Sequence, residues 1–247
     1  MPRIVSILLV VLIVAAAIST AAAEDVKIKA LLVTGDDVSA HNWKEIAAAT
    51  REALESTGRF AVRASEDPLI LESKSALDTY DVIVFTLYNR SLPTITPQAQ
   101  ESLLNFIKGG KGFYVQHLAS ASFKEWEEFG KLCGRHWVMG KSGHGPRSVF
   151  QSKVVDREHP ITKGIENFEI DDELYAKLQG DEEIHVLVEA DSDWSKRTEP
   201  LVFTRSYGQG RVVHNAFGHD AKAILNPAVR QITARSVEWA ATGKVAE

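Results

Sequence analysis

Eight histidines occur in the 247 residues: His41, His117, His136, His144, His159, His185, His214 and His219. A neutral imidazole ligates divalent metals, and the ring gains or loses a proton near neutral pH. No compact metal motif such as H-E-x-x-H contains any of them. Their places relative to apolar runs are more telling. His41 follows the run from Val26 to Val33, His117 ends the run from Gly112 to Gln116, and His219 follows the run from Arg211 to Asn215. In an open α/β sheet ligands bind at the carboxyl edge of the strands, so these three histidines are expected to meet there. His144 lies between glycines in Ser142-Gly-His-Gly-Pro146, a segment free to fold over that edge. Asp172 and Glu173 belong to the run Asp171-Asp-Glu-Leu-Tyr175, which by itself reads as a solvated acidic turn. Beside imidazoles the same carboxylates suit metal binding or acid–base work. His117, His144, Asp172 and Glu173 are therefore the catalytic candidates. His41, His117 and His219 are candidate ligands of Zn²⁺ or Mn²⁺, with a water position left open. Without a metal the same cluster would move protons. His185 and His214 lie inside strand-like runs and read as structural, and His159-Pro-Ile-Thr162 reads as a turn.

The elements that must carry these residues can be traced in order. The near-continuous apolar run to Val33 fits a strand covered on both faces. A capping box, Asn42 with Glu45, opens a helix whose inner face is Ile46, Thr50, Ala53 and Leu54. Strands follow at Phe60 to Ala64 and Asp81 to Leu87. Thr96-Pro97 starts a helix that Gly109-Gly110 ends. After the strand from Gly112, Ser122 with Glu125 forms a second capping box, which predicts a helix with Trp126, Phe129, Leu132 and Cys133 facing the core. Further strands are expected at Val149 to Val155, Ile184 to Glu189, Leu201 to Thr204 and Arg211 to Asn215. A hairpin turn is expected at Tyr207-Gly-Gln-Gly210. Residues Ala221 to Ala241 read as helix interrupted at Pro227. The pattern predicts a doubly wound, mostly parallel α/β sheet with helices on both faces.

Composition narrows the function. Met-Pro-Arg, an apolar run to Ile18 and a small-residue Ala-Ala-Ala23 end predict a signal peptide over residues 1–23 and an exported protein, periplasmic or secreted. Residues 24–247 then form one domain, with no stable membrane insertion after cleavage. The net charge of −5 and the lack of a basic run argue against nucleic acid as a partner. Gly208-x-Gly-Arg211 lacks the spacing of a nucleotide-binding fingerprint, so no nucleotide cofactor is expected. Cys133 is the sole cysteine and reads as a buried structural thiol. Where a strand-to-helix elbow often carries Ser or Cys, this chain has His117, which disfavours thiol-based amide hydrolysis.

Taken together, these pieces resemble the ThuA-like family, named for trehalose utilisation. The matching stretches are Thr34-Gly35 through His41-Asn-Trp43, Leu77-x-x-Tyr-Asp81-Val, Gly109-Gly-x-Gly112 with Gln116-His117, Ser142-Gly-His144, His159-Pro-Ile-Thr162, Asp172-Glu-Leu-Tyr175, Gly208-x-Gly-Arg211 and Gly218-His219. They span about residues 27–241. The resemblance implies a flavodoxin-like sheet of the class I glutamine amidotransferase kind without its nucleophilic cysteine. It also implies a role in the use of trehalose or related disaccharides, 3-keto sugars included. Trp43, Tyr175 and Arg211 are candidate sugar contacts within those stretches, and Trp43, Tyr88 and Trp137 offer rings for stacking. The implied ligand is a small carbohydrate, handled by metal or histidine acid–base chemistry. The alternative is a non-catalytic protein that binds a carbohydrate or a partner in the same cleft.

Overall fold

The computed structural model of the chain describes residues 27–36, 38–90 and 94–246, so the expected leader lies outside the described residues. The first half alternates strand and helix: β1 (Ile28–Val33), α1 (Trp43–Glu55), β2 (Phe60–Ser65), a 3₁₀ turn (Pro68–Glu72), α2 (Lys74–Leu77), β3 (Val82–Phe85), α3 (Pro97–Lys108), β4 (Gly112–Gln116), a second 3₁₀ turn (His117–Ala121) and α4 (Glu127–Cys133). The second half is mostly strand: β5 (Gly143–His144), β6 (Ser148–Val154), β7 (Phe168–Asp172), β8 (Tyr175–Ala176), β9 (His185–Ser192), β10 (Arg197–Tyr207) and β11 (Gly210–Asn215), then α5 (Ala221–Ile224) and α6 (Pro227–Thr242).

Nine strands form one sheet in the order β2-β1-β3-β4-β11-β10-β9-β6-β7, and β5 pairs separately with β8. From β2 to β11 the neighbours are parallel, and from β11 to β7 they are antiparallel. Side chains alternate between the two faces of a strand, so both faces of the parallel half must be covered. Ala30, Leu32, Val82, Val84 and Tyr114 face a core shared with α6, whereas Leu31, Val33, Ile83, Phe85 and Phe113 face a second core shared with α3 and α4. Helix starts follow their caps. Asn42 Oδ1 accepts the Glu45 N–H at 3.3 Å, and Thr96 Oγ1 accepts that of Ala99 at 3.2 Å, with Pro97 in the first turn.

Two expectations are revised. The helix expected from Ser122 begins at Glu127, with Trp126 at its N-cap. The Ser122 hydroxyl instead donates to the Leu87 carbonyl at 2.6 Å and accepts the Asn89 N–H at 3.3 Å. Asn89 Oδ1 in turn accepts the Phe123 N–H at 2.7 Å, and Phe123 sits at φ +52, so long-range bonds override the local cap. Pro227 begins α6, with Asn226 as the cap, rather than interrupting one helix. The expected α/β sheet with helices on both faces is present, and β6 pairs with β7 and β9 with β10 in an antiparallel half that extends its parallel strands on one side. Cys133 is fully buried on the core face of α4, where burial pushes its thiol pKa up.

Candidate functional site

Four loops and one strand pair meet at the carboxyl edge of the parallel strands. His117 leaves β4 at φ +47, a left-handed backbone conformation that costs a non-glycine residue about 1 kcal/mol. Its Nδ1 lies 2.6 Å from the Ala216 carbonyl oxygen, just past the end of β11. A carbonyl only accepts, so Nδ1 carries the proton and Nε2 presents a lone pair. His41 follows β1 in a short turn closed by its own N–H on the Val38 carbonyl at 2.9 Å. His219 follows β11 after Gly218, whose φ of +113 suits glycine. Glu173 follows β7 directly.

The Glu173 carboxylate is the hub. Its Oε2 lies 3.1 Å from His219 Nδ1, 3.5 Å from His117 Nε2 and 3.9 Å from His41 Nε2, and its Oε1 lies 3.5 Å from His144 Nε2. His219 Nδ1 and His41 Nε2 are 3.2 Å apart. One donor atom from each of His41, His117, Glu173 and His219 falls within 4.8 Å of the others, so the group could hold a metal ion. A tetrahedral ion with bonds of about 2.1 Å has ligand–ligand edges of about 3.4 Å, close to these separations. His117 Nε2 and Glu173 Oε2 are buried without an aligned hydrogen-bond partner, which suits ligands that face a cation. Three imidazoles and a carboxylate match the donor preferences of zinc and manganese.

Protonation follows the geometry. Burial, aided by the neighbouring His117 and His219, pushes His41 down to about 3 and keeps it neutral. Burial raises the Glu173 carboxyl, but the close His117 and His219 rings outweigh it and hold the group well below the usual range. His219 is raised, chiefly by the Glu173 carboxylate 3.1 Å from its Nδ1. Tyr175 is pushed well up by burial and then by the adjacent Glu173 and Asp172.

Asp172 has a different task from its neighbour. Its Oδ1 accepts the N–H groups of Glu173 at 2.9 Å and His219 at 3.1 Å, and its Oδ2 accepts that of Gly218 at 2.8 Å. Burial pushes this carboxyl up, against the pull of His117 and the three N–H donors. Asp172 thus ties the end of β7 to the loop after β11 and sets where Glu173 and His219 stand. Tyr175 stacks on His117 with ring centroids 3.8 Å apart, and Trp137 lies 4.5 Å from Tyr175. Trp43 lines a recess beside His41. Arg211, expected as a sugar contact, lies at the opposite edge. It is the second residue of β11, and its guanidinium donates to the carbonyls of Trp239, Ala240 and Ala241 at the end of α6. That satisfies a helix C-terminus, so Arg211 is excluded from the site by distance along the strand.

The other histidines stand apart. His214 is fully buried in β11 with Nδ1 3.3 Å from the Cys133 carbonyl, and His185 pairs with Asp156 at 2.9 Å. His159 packs against Trp239 at 5.0 Å. Two contributors escaped the sequence reading. Gln116 reaches the same recess as His41 and His117; the one cue was a polar amide ending an apolar strand. Trp194, in the β9–β10 turn, covers Gly143 and Gly145 on either side of His144, and nothing local in sequence announces that contact.

Comparison with known proteins identifies the family and the fold. A family model described as trehalose utilisation, ThuA, matches residues 29–240. No curated protein matches the sequence. Among solved structures, a ThuA-like protein from Parabacteroides merdae is 28% identical, covering 90% of this chain and 92% of that one with a TM-score of 0.78. A ThuA-like protein from Bacteroides uniformis is 18% identical over 90% and 96% of the two chains, with a TM-score of 0.68. A cytoplasmic protein from Salmonella typhimurium, 15% identical over 87% and 99%, superposes with a TM-score of 0.58. The last two likenesses concern the fold alone.

Proposed function

This chain belongs to the ThuA family, whose description is trehalose utilisation, and from that premise we propose that it is an exported carbohydrate-processing enzyme built around a divalent-metal site. The observation that carries the reading is the buried cluster of His41, His117, Glu173 and His219, with two of its inward-facing atoms lacking hydrogen-bond partners. Zinc or manganese is the proposed ion; when bound, it polarises a ligand oxygen or acidifies a bound water. The chain's own residues prepare that chemistry. The Ala216 carbonyl fixes the His117 tautomer so that its Nε2 lone pair faces the cluster. Burial keeps His41 neutral, and Glu173 stays ionised between its histidines. His144 is the proton-transfer candidate. It stands outside the four-residue cluster with a third of its side chain exposed, and its Nε2 faces Glu173 Oε1. Trp43, Tyr88 and Trp137 line the adjoining hollows, and stacking on an apolar sugar face is the role proposed for them.

The test is a metal and activity dissection of protein purified without a histidine tag. Wild type is expected to carry about one equivalent of metal per chain, as a four-ligand centre requires. His117→Ala should lose the metal. His144→Ala should keep it yet turn over disaccharides and their keto derivatives about a hundredfold more slowly, the loss typical of a missing acid–base group. Wild-type metal content in His117→Ala would sink the metal site. Sugar binding without turnover in the metal-loaded wild type would leave the cleft as a binding site alone.

A further inference from the structure

Away from the metal cluster, a cleft opens where the end of α1 meets the flank of α6. Trp43 begins α1 on the cluster side, and its 13 residues span about 20 Å, so the cleft lies roughly a helix length from His41. The small side chains of Ala53 on α1 and Ala234 on α6 leave the space between the helices unfilled. The cleft holds about 380 Å³ of accessible space, room for a small ligand. Three guanidinium groups line it, those of Arg59, Arg230 and Arg235, with the Gln231 amide beside them.

A chain of net charge −5 thus gathers three cations in one place, and among the described residues no carboxylate lines the cleft. Two carboxylates stand behind them. Arg59 Nη2 lies 2.8 Å from Glu238 Oε2, and Arg230 Nη2 lies 3.6 Å from Glu52 Oε1. Arg235 makes no ion pair among the described residues; its Nη1 donates to the Lys163 carbonyl at 2.7 Å. A carbonyl satisfies a donor but does not neutralise its charge. Burial and then the nearby Arg59 charge push the Arg235 guanidinium down, against the pull of Glu238, so the two cations are close enough to repel. An anion between them would remove that repulsion. The acceptors at the end of α1 are already covered. The Ser56 and Thr57 hydroxyls donate to the carbonyls of Ala53 at 3.3 Å and Leu54 at 2.8 Å, which blunts the negative end of that helix.

We infer that this cleft is a binding site for a small oxyanion, a phosphate or a phosphate ester, held by Arg59, Arg230 and Arg235. Forked donors reach it both from α6 and from the turn before β2, which suits the outward oxygens of a tetrahedral phosphate better than the two coplanar oxygens of a carboxylate. The site is separate from the metal cluster and stands whether or not the carbohydrate reading does.

The experiment is calorimetric titration of the metal-loaded full chain with sodium phosphate and, separately, with glycerol phosphate. Both titrations are repeated on chelator-treated protein, and metal content and folding are measured on each variant. Wild type should bind one phosphate per chain, more weakly as sodium chloride is raised. Arg235→Gln keeps a donor for the Lys163 carbonyl and removes the charge; it should bind phosphate about tenfold more weakly at unchanged metal content. Arg230→Gln, at an exposed position, should weaken binding several-fold. Arg63→Gln, exposed in β2 and outside the cleft, should leave binding unchanged. Tighter binding of glycerol phosphate than of phosphate supports an ester as the ligand, and the reverse supports the free ion. Wild-type affinity in folded Arg235→Gln and Arg230→Gln would overturn the inference, as would no phosphate binding to wild type. Loss of phosphate binding on removal of the metal would place the anion at the cluster and overturn it too. Should Arg235→Gln fail to fold, Arg230→Gln decides: weakened binding supports the site, and unchanged affinity overturns it.

Discussion

At the scale of single residues, each buried histidine has its protonation set by what surrounds it. His41 is held neutral by burial and by two other imidazoles, whereas His219, 3.1 Å from a carboxylate, is raised. His214, inside β11, shows the effect of burial most directly. Burial pushes it down to about 4, against a carbonyl contact that favours the proton. In the unfolded chain its value returns to about 6.5. Below pH 6.5 the unfolded chain therefore takes up a proton that the fold excludes, and stability falls as pH drops from about 6.5 toward 4. The loss from this one group reaches on the order of 3 kcal/mol at the acid end of that window. Urea unfolding of chelator-treated protein between pH 7.5 and 4.5 checks it. His214→Phe, which keeps a ring against Phe203, should lose less stability across that range than wild type does. An identical pH slope in the two proteins would contradict the assignment.

At the scale of elements, His144 is held by a part of the chain fifty residues away in sequence. β5 pairs Gly143 with Ala176 and His144 with Tyr175, which sets the strand. The Trp194 ring, from the turn between β9 and β10, then lies against Gly143 so closely that no Cβ fits, and a Cβ on Gly145 would come to 3.2 Å from Trp194. Lys177 places its ammonium 4.6 Å above the same indole. Gly143→Ala should therefore displace either Trp194 or His144. The expected cost is about 1–3 kcal/mol in stability, as for other overpacked positions, with metal content unchanged. Adding Trp194→Ala should relieve the clash, so the double variant is expected to be more stable than Gly143→Ala alone. Strict additivity of the two substitutions in thermal unfolding would show that the indole does not clamp this segment.

At the scale of the whole molecule, the sheet is a frame that brings distant loops to one edge. The ends of β1, β4, β7 and β11 deliver His41, His117, Glu173 and His219, and Asp172 ties two of those ends together. No helix among the described residues is long and apolar enough to cross a membrane. The export proposed for the chain therefore rests on its first residues, where Arg3, an apolar run and Ala-Ala-Ala23 occur in the order a signal peptidase reads. Amino-terminal sequencing of protein recovered from the periplasm or the medium should begin near Glu24. Exported protein that still starts at Met1 would favour a retained anchor.

What could be read from the sequence was whatever depends on short spacing. Continuous apolar runs located β1, β3 and β4, and period-3.6 spacing located α1 and α3, because burial on both faces removes alternation and helix caps act within four residues. The strand-end position of His117 also follows from local pattern. Tertiary structure decided the rest. It turned Ser122 from a helix cap into a partner of Leu87 and Asn89, because bonds to a neighbouring strand end displaced a local one. It sent Arg211 to the far edge, since a residue at the start of a parallel strand is a strand's length from the carboxyl end. It also divided two adjacent carboxylates between two tasks, Asp172 toward backbone N–H groups and Glu173 toward four imidazoles. Alternation along the chain made it certain that neighbours would diverge, but only the packed loops after β1, β4 and β11 determined which of the two met the histidines.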